Sequence, residues 1–259
     1  MTMATDSIRL PLPCEEAAEP VPVQQRRTPE ASDADTYSPA LARLMTWLSP
    51  AFPVGGFSYS HGLEWIVEAG GIRDATTLGD WIEDVLTHGA GRPDAIFLAQ
   101  AWRAVSRGDT TLLADVADLA AAFAPSAERR LETLAQGAAF VAAAGTVWPH
   151  RDIARLSARE EIAYPVAVGV CAAAHDLPLA ETAQAFMQAF AANLVSAGVR
   201  LVPLGQTDGL RVIARLEPLI PQLVANALTA SLDDVGGAAV LADIASMRHE
   251  TQYTRLFRS

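Results

Sequence analysis

Apolar residues recur along this chain at helical spacing and almost nowhere at the alternate spacing of a strand, which confines the fold to packed helices. Leu78, Trp81, Ile82, Val85 and Leu86 fall at i, i+3, i+4, i+7 and i+8, the stripe of a helix buried on one side. Thr76 or Thr77 can cap that helix, and Gly89 with Gly91 can end it. The same reading predicts helices over about 38–48, 60–69, 94–107, 110–123, 126–147, 163–175, 179–200, 206–229 and 238–248, about ten in all, with alanine supplying much of the propensity. Pro218 and Pro221 should kink or interrupt the penultimate one, since each lacks an amide donor and clashes with the preceding turn. Connections are short and no fixed-period repeat is present. The expected fold class is therefore all-α: one compact multi-helix domain over residues 37–248 rather than a solenoid.

Residues 1–36 do not fit that domain. They contain five prolines, seven acids and three arginines without an aromatic residue, a composition unable to bury enough apolar surface to offset chain entropy, and they read as a disordered extension. Several functions are disfavoured outright. A net charge of -11 argues against nucleic acid. All 19 basic residues are Arg, and without Lys there is neither a phosphate-binding Gly-x-x-x-x-Gly-Lys loop nor a Lys Schiff base. Cys14 and Cys171 suggest neither a disulfide framework nor a metal site. No apolar run is long enough to span a membrane and no signal peptide is visible, so the expected compartment is the cytoplasm.

Four stretches stand out. The last eleven residues, 249–259, set Tyr253, Leu256 and Phe257 beside Arg255 and Arg258; aromatics with Arg are the types enriched at interfaces, so the segment reads as a docking peptide. His249-Glu250 is no zinc motif, because Tyr253 stands where a second His would be needed. In residues 49–65, two prolines and Gly55-Gly56 force an irregular loop, after which Ser58 or Ser60 can cap a helix carrying Glu64. Around Arg200, Pro203 and Gly205 break a helix whose last turn Arg200 complements electrostatically, with Gln206 opening the next. Along 126–140, Glu128, Arg130, Glu132 and Gly137 lie on one helix. The 49–65 loop and the turn around Arg200 each have a purely structural reading, as a capped or broken helix. The five histidines never fall at helical ligand spacing and read as packing or surface residues. The serines lack a Gly-x-Ser-x-Gly elbow, and the acid pairs Glu160-Glu161 and Asp233-Asp234 read as solvated helix ends. No catalytic or metal site is predicted.

These stretches closely resemble the urease accessory protein UreF family, whose members end in His-Glu-x-Gln-Tyr-Ser-Arg-Leu-Phe-Arg-Ser. The loop resembles that family's Leu-Pro-Val-Gly-x-aromatic-Ser-x-Ser-x-Gly-Leu-Glu, with Phe52 for the usual Leu. Residues 199–206 resemble Val-Arg-Leu-x-Pro-Leu-Gly-Gln. The match along 126–140 is the weakest, since Ala127 and Gln136 stand where basic residues are usual. The resemblance runs from about Leu41 to Ser259. It implies an all-α homodimer that joins UreD (also called UreH), recruits the GTPase UreG to urease apoprotein and supports nickel insertion, with no cofactor of its own, nickel and GTP with magnesium belonging to its partners.

On that resemblance Tyr253, Arg255, Leu256, Phe257 and Arg258 are expected to bind UreD. The loop residues Pro53, Gly55, Phe57, Ser58, Tyr59, Ser60, Gly62 and Glu64 are expected at a dimer or UreG-facing surface. Glu128 and Arg130 are expected on a UreG-facing helix, and Arg200, Pro203, Gly205 and Gln206 in a structural turn. The alternative is a regulator of GTP hydrolysis by UreG through an arginine such as Arg130 or Arg211.

Overall fold

The sequence Tyr164–Ala174, a run of Pro, Val, Gly, Cys and Ala with no charged residue, is hydrophobic on every side, and a helix of that kind must sit at the centre of a domain. In the computed structural model, which describes residues 38–259, it does. Nine of its eleven residues are buried, including Cys171, whose thiol burial pushes up to about 12. Gly91–Arg107 packs most closely against it. At the crossing a Cβ on Gly169 would stand 2.4 Å from the Leu98 carbonyl oxygen, so glycine is what lets the two backbones approach.

Twelve α-helices lie among the described residues: α1 Pro39–Trp47, α2 Leu63–Glu68, α3 Ala75–Thr87, α4 Gly91–Arg107, α5 Thr110–Ala122, α6 Ala127–Val147, α7 Arg151–Ser157, α8 Tyr164–Ala174, α9 Leu179–Leu201, α10 Gln206–Leu216, α11 Ile220–Thr229 and α12 Val240–His249. No strand occurs among them. α6 covers α8 on another side, and α9 spans the bundle, touching α3, α4, α10 and α11. Residues 38–259 form one unit. The disordered reading of residues 1–36 lies outside the described residues.

The excess over ten has two causes. The predicted helix 206–229 is divided at Glu217–Leu219, where Pro218 and Pro221 interrupt the amide ladder as expected. The short α7 has no counterpart among the predicted helices; His150 caps it and it buries only Ile153 and Leu156, too few apolar positions to register as a period. The cap of α3 also moves. Asp74 holds the N-cap position and bonds the Thr77 amide at 2.8 Å, while the Thr77 side chain returns to the Asp74 amide.

Residues 249–259, read as a docking tail set apart from the domain, are packed into it. Phe257 joins the hydrophobic core at 4% exposure, and His249 and Ser259 are fully buried.

Candidate functional site

What holds the closing segment is a set of carboxylates from α2 and α6. The sharp turn into α2 places His61 and Gly62 in succession in the left-handed region, at φ 57 and 77. A Cβ on Gly62 would lie 2.5 Å from the Ser246 amide nitrogen, so this turn can press against α12 only as glycine. The turn aims Glu64 inward. Glu64 Oε1 accepts the Leu256 amide at 2.6 Å, Oε2 accepts the Phe257 amide at 2.8 Å, and Oε2 also lies 3.1 Å from His249 Nε2. On the other side of that ring, His249 Nδ1 is 2.6 Å from Glu128, whose second oxygen accepts from Arg255 at 2.6 Å. Each ring nitrogen of His249 thus faces a carboxylate.

Farther along the segment, the Arg258 amide donates to the Ser58 carbonyl at 2.8 Å, and Ser60 donates through both amide and hydroxyl to the Ser259 carbonyl. The Arg200 guanidinium lies 4.4 Å over the Phe257 ring and donates to the Phe57 carbonyl at 2.9 Å. The Ser259 hydroxyl donates to Glu132 at 2.7 Å. Glu132 also accepts from His61 Nε2 at 2.7 Å, from Gln136 at 2.9 Å and from Arg129. Burial alone would raise the Glu132 carboxyl, yet Arg129, His61 and the hydrogen bonds from His61 and Ser259 outweigh it and hold the group at about 2. Burial, followed by the Arg129 charge, lowers the His61 imidazole, with Glu132 opposing. Glu250 completes the arrangement by accepting the Ala127 amide at 2.8 Å, a carboxylate at the α6 N-terminus where the helix dipole favours it.

The four stretches singled out in the sequence therefore meet in one place, and the structure sorts their residues by direction. Tyr253 is fully exposed and Leu256 is 67% exposed, while Phe257 turns into the chain's own core and so is a partner anchor no longer available as drawn. Arg255 and Arg258 are exposed, the former already paired with Glu128. In the loop, Pro53 and Phe57 face outward; Tyr59, Ser60, Gly62 and Glu64 are buried and cannot present a surface. Gly55 takes φ 72, and the Ser58 carbonyl is spent on Arg258. Glu128 points at His249 rather than outward, whereas Arg130 is exposed and paired with Glu161. Pro203, Gly205 and Gln206 form the exposed turn between α9 and α10. His61 and His249, read only as packing or surface histidines, are buried members of the network, and Arg129 and Glu132 are its centre. A signal for them existed: Glu128, Glu132 and Gln136 recur every four residues on one face of an alanine-rich helix, a polar stripe in need of polar partners.

Most hydrogen-bonding side chains here are engaged by one another and by the closing segment, His61 Nδ1 being a buried exception, and no group of three or more metal-ligating side chains occurs among the described residues. The arrangement is a latch that fixes the segment and leaves Tyr253 and Leu256 displayed.

A family model described as UreF matches residues 72–217, more than half of the chain. That match leaves out both the 49–65 loop and the closing segment; relatives extend the likeness to between 85% and 95% of the chain. A protein named urease accessory protein UreF from Rhodopseudomonas palustris strain HaA2 is 59% identical over 222 residues, 85% of this chain and 94% of its own. The protein of the same name from Bradyrhizobium diazoefficiens is 56% identical over 222 residues, 85% of this chain and 92% of its own. Another from R. palustris strain TIE-1 is 54% identical over 247 residues, 95% of this chain and 98% of its own. The chain belongs to the UreF family.

Proposed function

We propose that the chain is a urease accessory protein: a non-catalytic adaptor of the cytoplasm that joins UreD/UreH and the GTPase UreG on urease apoprotein and supports insertion of nickel into its active site. The observation that carries this reading is 59% identity across 85% of the chain to a protein named urease accessory protein UreF. The latch supports an adaptor mechanism, since a partner-binding segment held rigid loses less conformational entropy on docking than a free peptide. Tyr253 and Leu256 are the anchors that remain available, flanked by Arg255 and Arg258, and UreD/UreH is the partner we assign to them. The protein acts as a homodimer and brings no cofactor of its own; nickel is cargo, and GTP with magnesium is held by UreG. As a regulator of GTP hydrolysis it has less support, because Arg130 and Arg211 are each engaged in ion pairs within the chain.

The test is complementation. In a urease operon lacking its own gene of this family, co-expression of the chain should restore urease activity and nickel content to the enzyme, and the chain should co-purify with UreD/UreH. Apo-urease that stays inactive in the presence of stably expressed protein would overturn the proposal.

A further inference from the structure

Asp94, in the first turn of α4, differs from the acids of the latch itself, Glu64, Glu128, Glu132 and Glu250, which all accept hydrogen bonds. No hydrogen bond to its carboxyl is formed among the described residues, and burial raises the group to about 7, with the Arg129 charge opposing. It is enclosed by the surrounding helices but not sealed, because it lines two cavities at once, of about 190 and 150 Å³. The larger lies between the 49–57 loop and α9. Its exposed lining residues Pro50, Phe57 and Ser196 mark the mouth, Phe52, Tyr164, Phe186 and Phe190 supply aromatic walls, and Asp94, Arg129 and Glu132 form the polar inner end.

The charges at that end do not balance. Arg129 is engaged by Glu132, and burial keeps His61 toward its neutral form, so an ionised Asp94 leaves one net negative charge. On the far side, the smaller cavity brings Asp243 and His88 toward Asp94, and Asp243 is a second acid raised by burial rather than a compensating cation. An unbalanced carboxylate at the end of an aromatic cavity suits a positive head on an apolar stem, because ring faces attract cations and the walls exclude water. A divalent ion is a poorer fit, since it requires several oxygen or nitrogen ligands and no group of three occurs among the described residues. A cavity of ~150 Å³ holds benzene, so this one accommodates roughly five to seven heavy atoms.

We propose that the larger cavity is a binding site for a small alkylammonium ion, with its stem along Phe186 and Phe190 and its head at Asp94. The site does not depend on the adaptor reading.

The full chain, titrated calorimetrically at pH 8 with n-butylammonium chloride, should bind it at least tenfold more tightly than 1-butanol, its neutral analogue. Asp94→Asn should erase that preference. Between pH 8 and pH 6 the wild-type affinity should fall by about tenfold as Asp94 is protonated, with His61, His88, Arg129, Glu132 and Asp243 as the other charged or titratable groups facing it. In Asp94→Asn that pH dependence should be absent, which separates Asp94 from the two histidines. Equal affinity for amine and alcohol, no binding of either, or displacement of the amine by millimolar magnesium chloride would each overturn the proposal. If Asp94→Asn does not fold, the amine-to-alcohol ratio and the pH dependence of the wild-type chain decide it alone.

Discussion

Glu132 and Asp94 face the same cavity, both deep in the helical unit, yet their carboxyls are driven in opposite directions, to about 2 and about 7. Burial pushes each of them upward and is the largest influence on each. The difference lies in the donors. Glu132 receives Arg129, His61, Gln136 and Ser259, whereas the Asp94 carboxyl receives no hydrogen bond among the described residues. Depth alone does not determine the ionisation of a buried acid; the opposite charges beside it and, after them, the hydrogen bonds to its charged form do. One acid is spent on holding the fold together, and the other is left in a state the fold does not satisfy.

The comparison breaks most severely if the latch loses the segment it holds. Deleting residues 249–259 removes Phe257 from the core and strips Glu64, Glu128 and Glu132 of donors together, leaving buried carboxylates without their compensation. We expect a loss on the order of 5 kcal/mol, which corresponds to a fall in Tm of about 10–20 °C for a domain of this size. A docking tail set apart from the domain, as the sequence suggested, would be expected to cost only UreD binding when deleted. The packing says that stability fails first, and thermal melts followed by circular dichroism on the two proteins measure it. A melting temperature within a few degrees of the intact chain would show that the segment is merely laid on the surface.

That reversal marks the boundary of what the sequence discloses. Helix positions and the break at Pro218 and Pro221 are legible because periodicity and proline act locally. The stretches at 49–65 and 249–259 are recognisable, but not that they bind each other, since the Glu64 contact with Phe257 closes 193 residues and no local rule reports it. An aromatic residue beside arginine carries the same composition whether it faces a partner or its own core, and only burial distinguishes Tyr253 from Phe257. Asp94 had no signal at all: an acid in the first turn of a helix is an ordinary complement to the dipole, and its isolation comes from what α6 and α9 bring near it.

The contrast sharpens when pH is varied. The folded Glu132 carboxyl lies below its ordinary value, so its stabilisation is present above about pH 4.5 and is lost as pH falls toward 2. Asp94 runs the other way: with a folded value raised from 3.8 to about 7, the stability it contributes is complete below pH 3.8 and is lost as pH rises to 7. Asp94→Asn removes the second dependence. Relative to the wild type it should gain stability between pH 4 and pH 8, by at most about 4 kcal/mol. Urea titrations at the two pH values provide the difference. A variant that tracks the wild type at both would mean that Asp94 is already neutralised by a neighbour.

The smallest effect on stability is expected where the closing segment faces outward. Tyr253 is fully exposed and touches nothing that Glu64 or Glu132 holds, so Tyr253→Ala should leave folding stability within about 0.5 kcal/mol of the wild type. If the latch exists to display that ring, binding to UreD/UreH should nonetheless weaken by about 2 kcal/mol, or roughly thirtyfold, as truncation of an interface anchor does. Phe257→Ala supplies the opposite pattern, a stability loss of about 3–5 kcal/mol from an emptied core position. Measuring melting temperature and UreD/UreH affinity on both variants asks whether two aromatic residues four positions apart divide the work between holding and docking. Equal loss of affinity in Tyr253→Ala and in a distant surface control such as Leu210→Ala would assign the docking to another face of the protein.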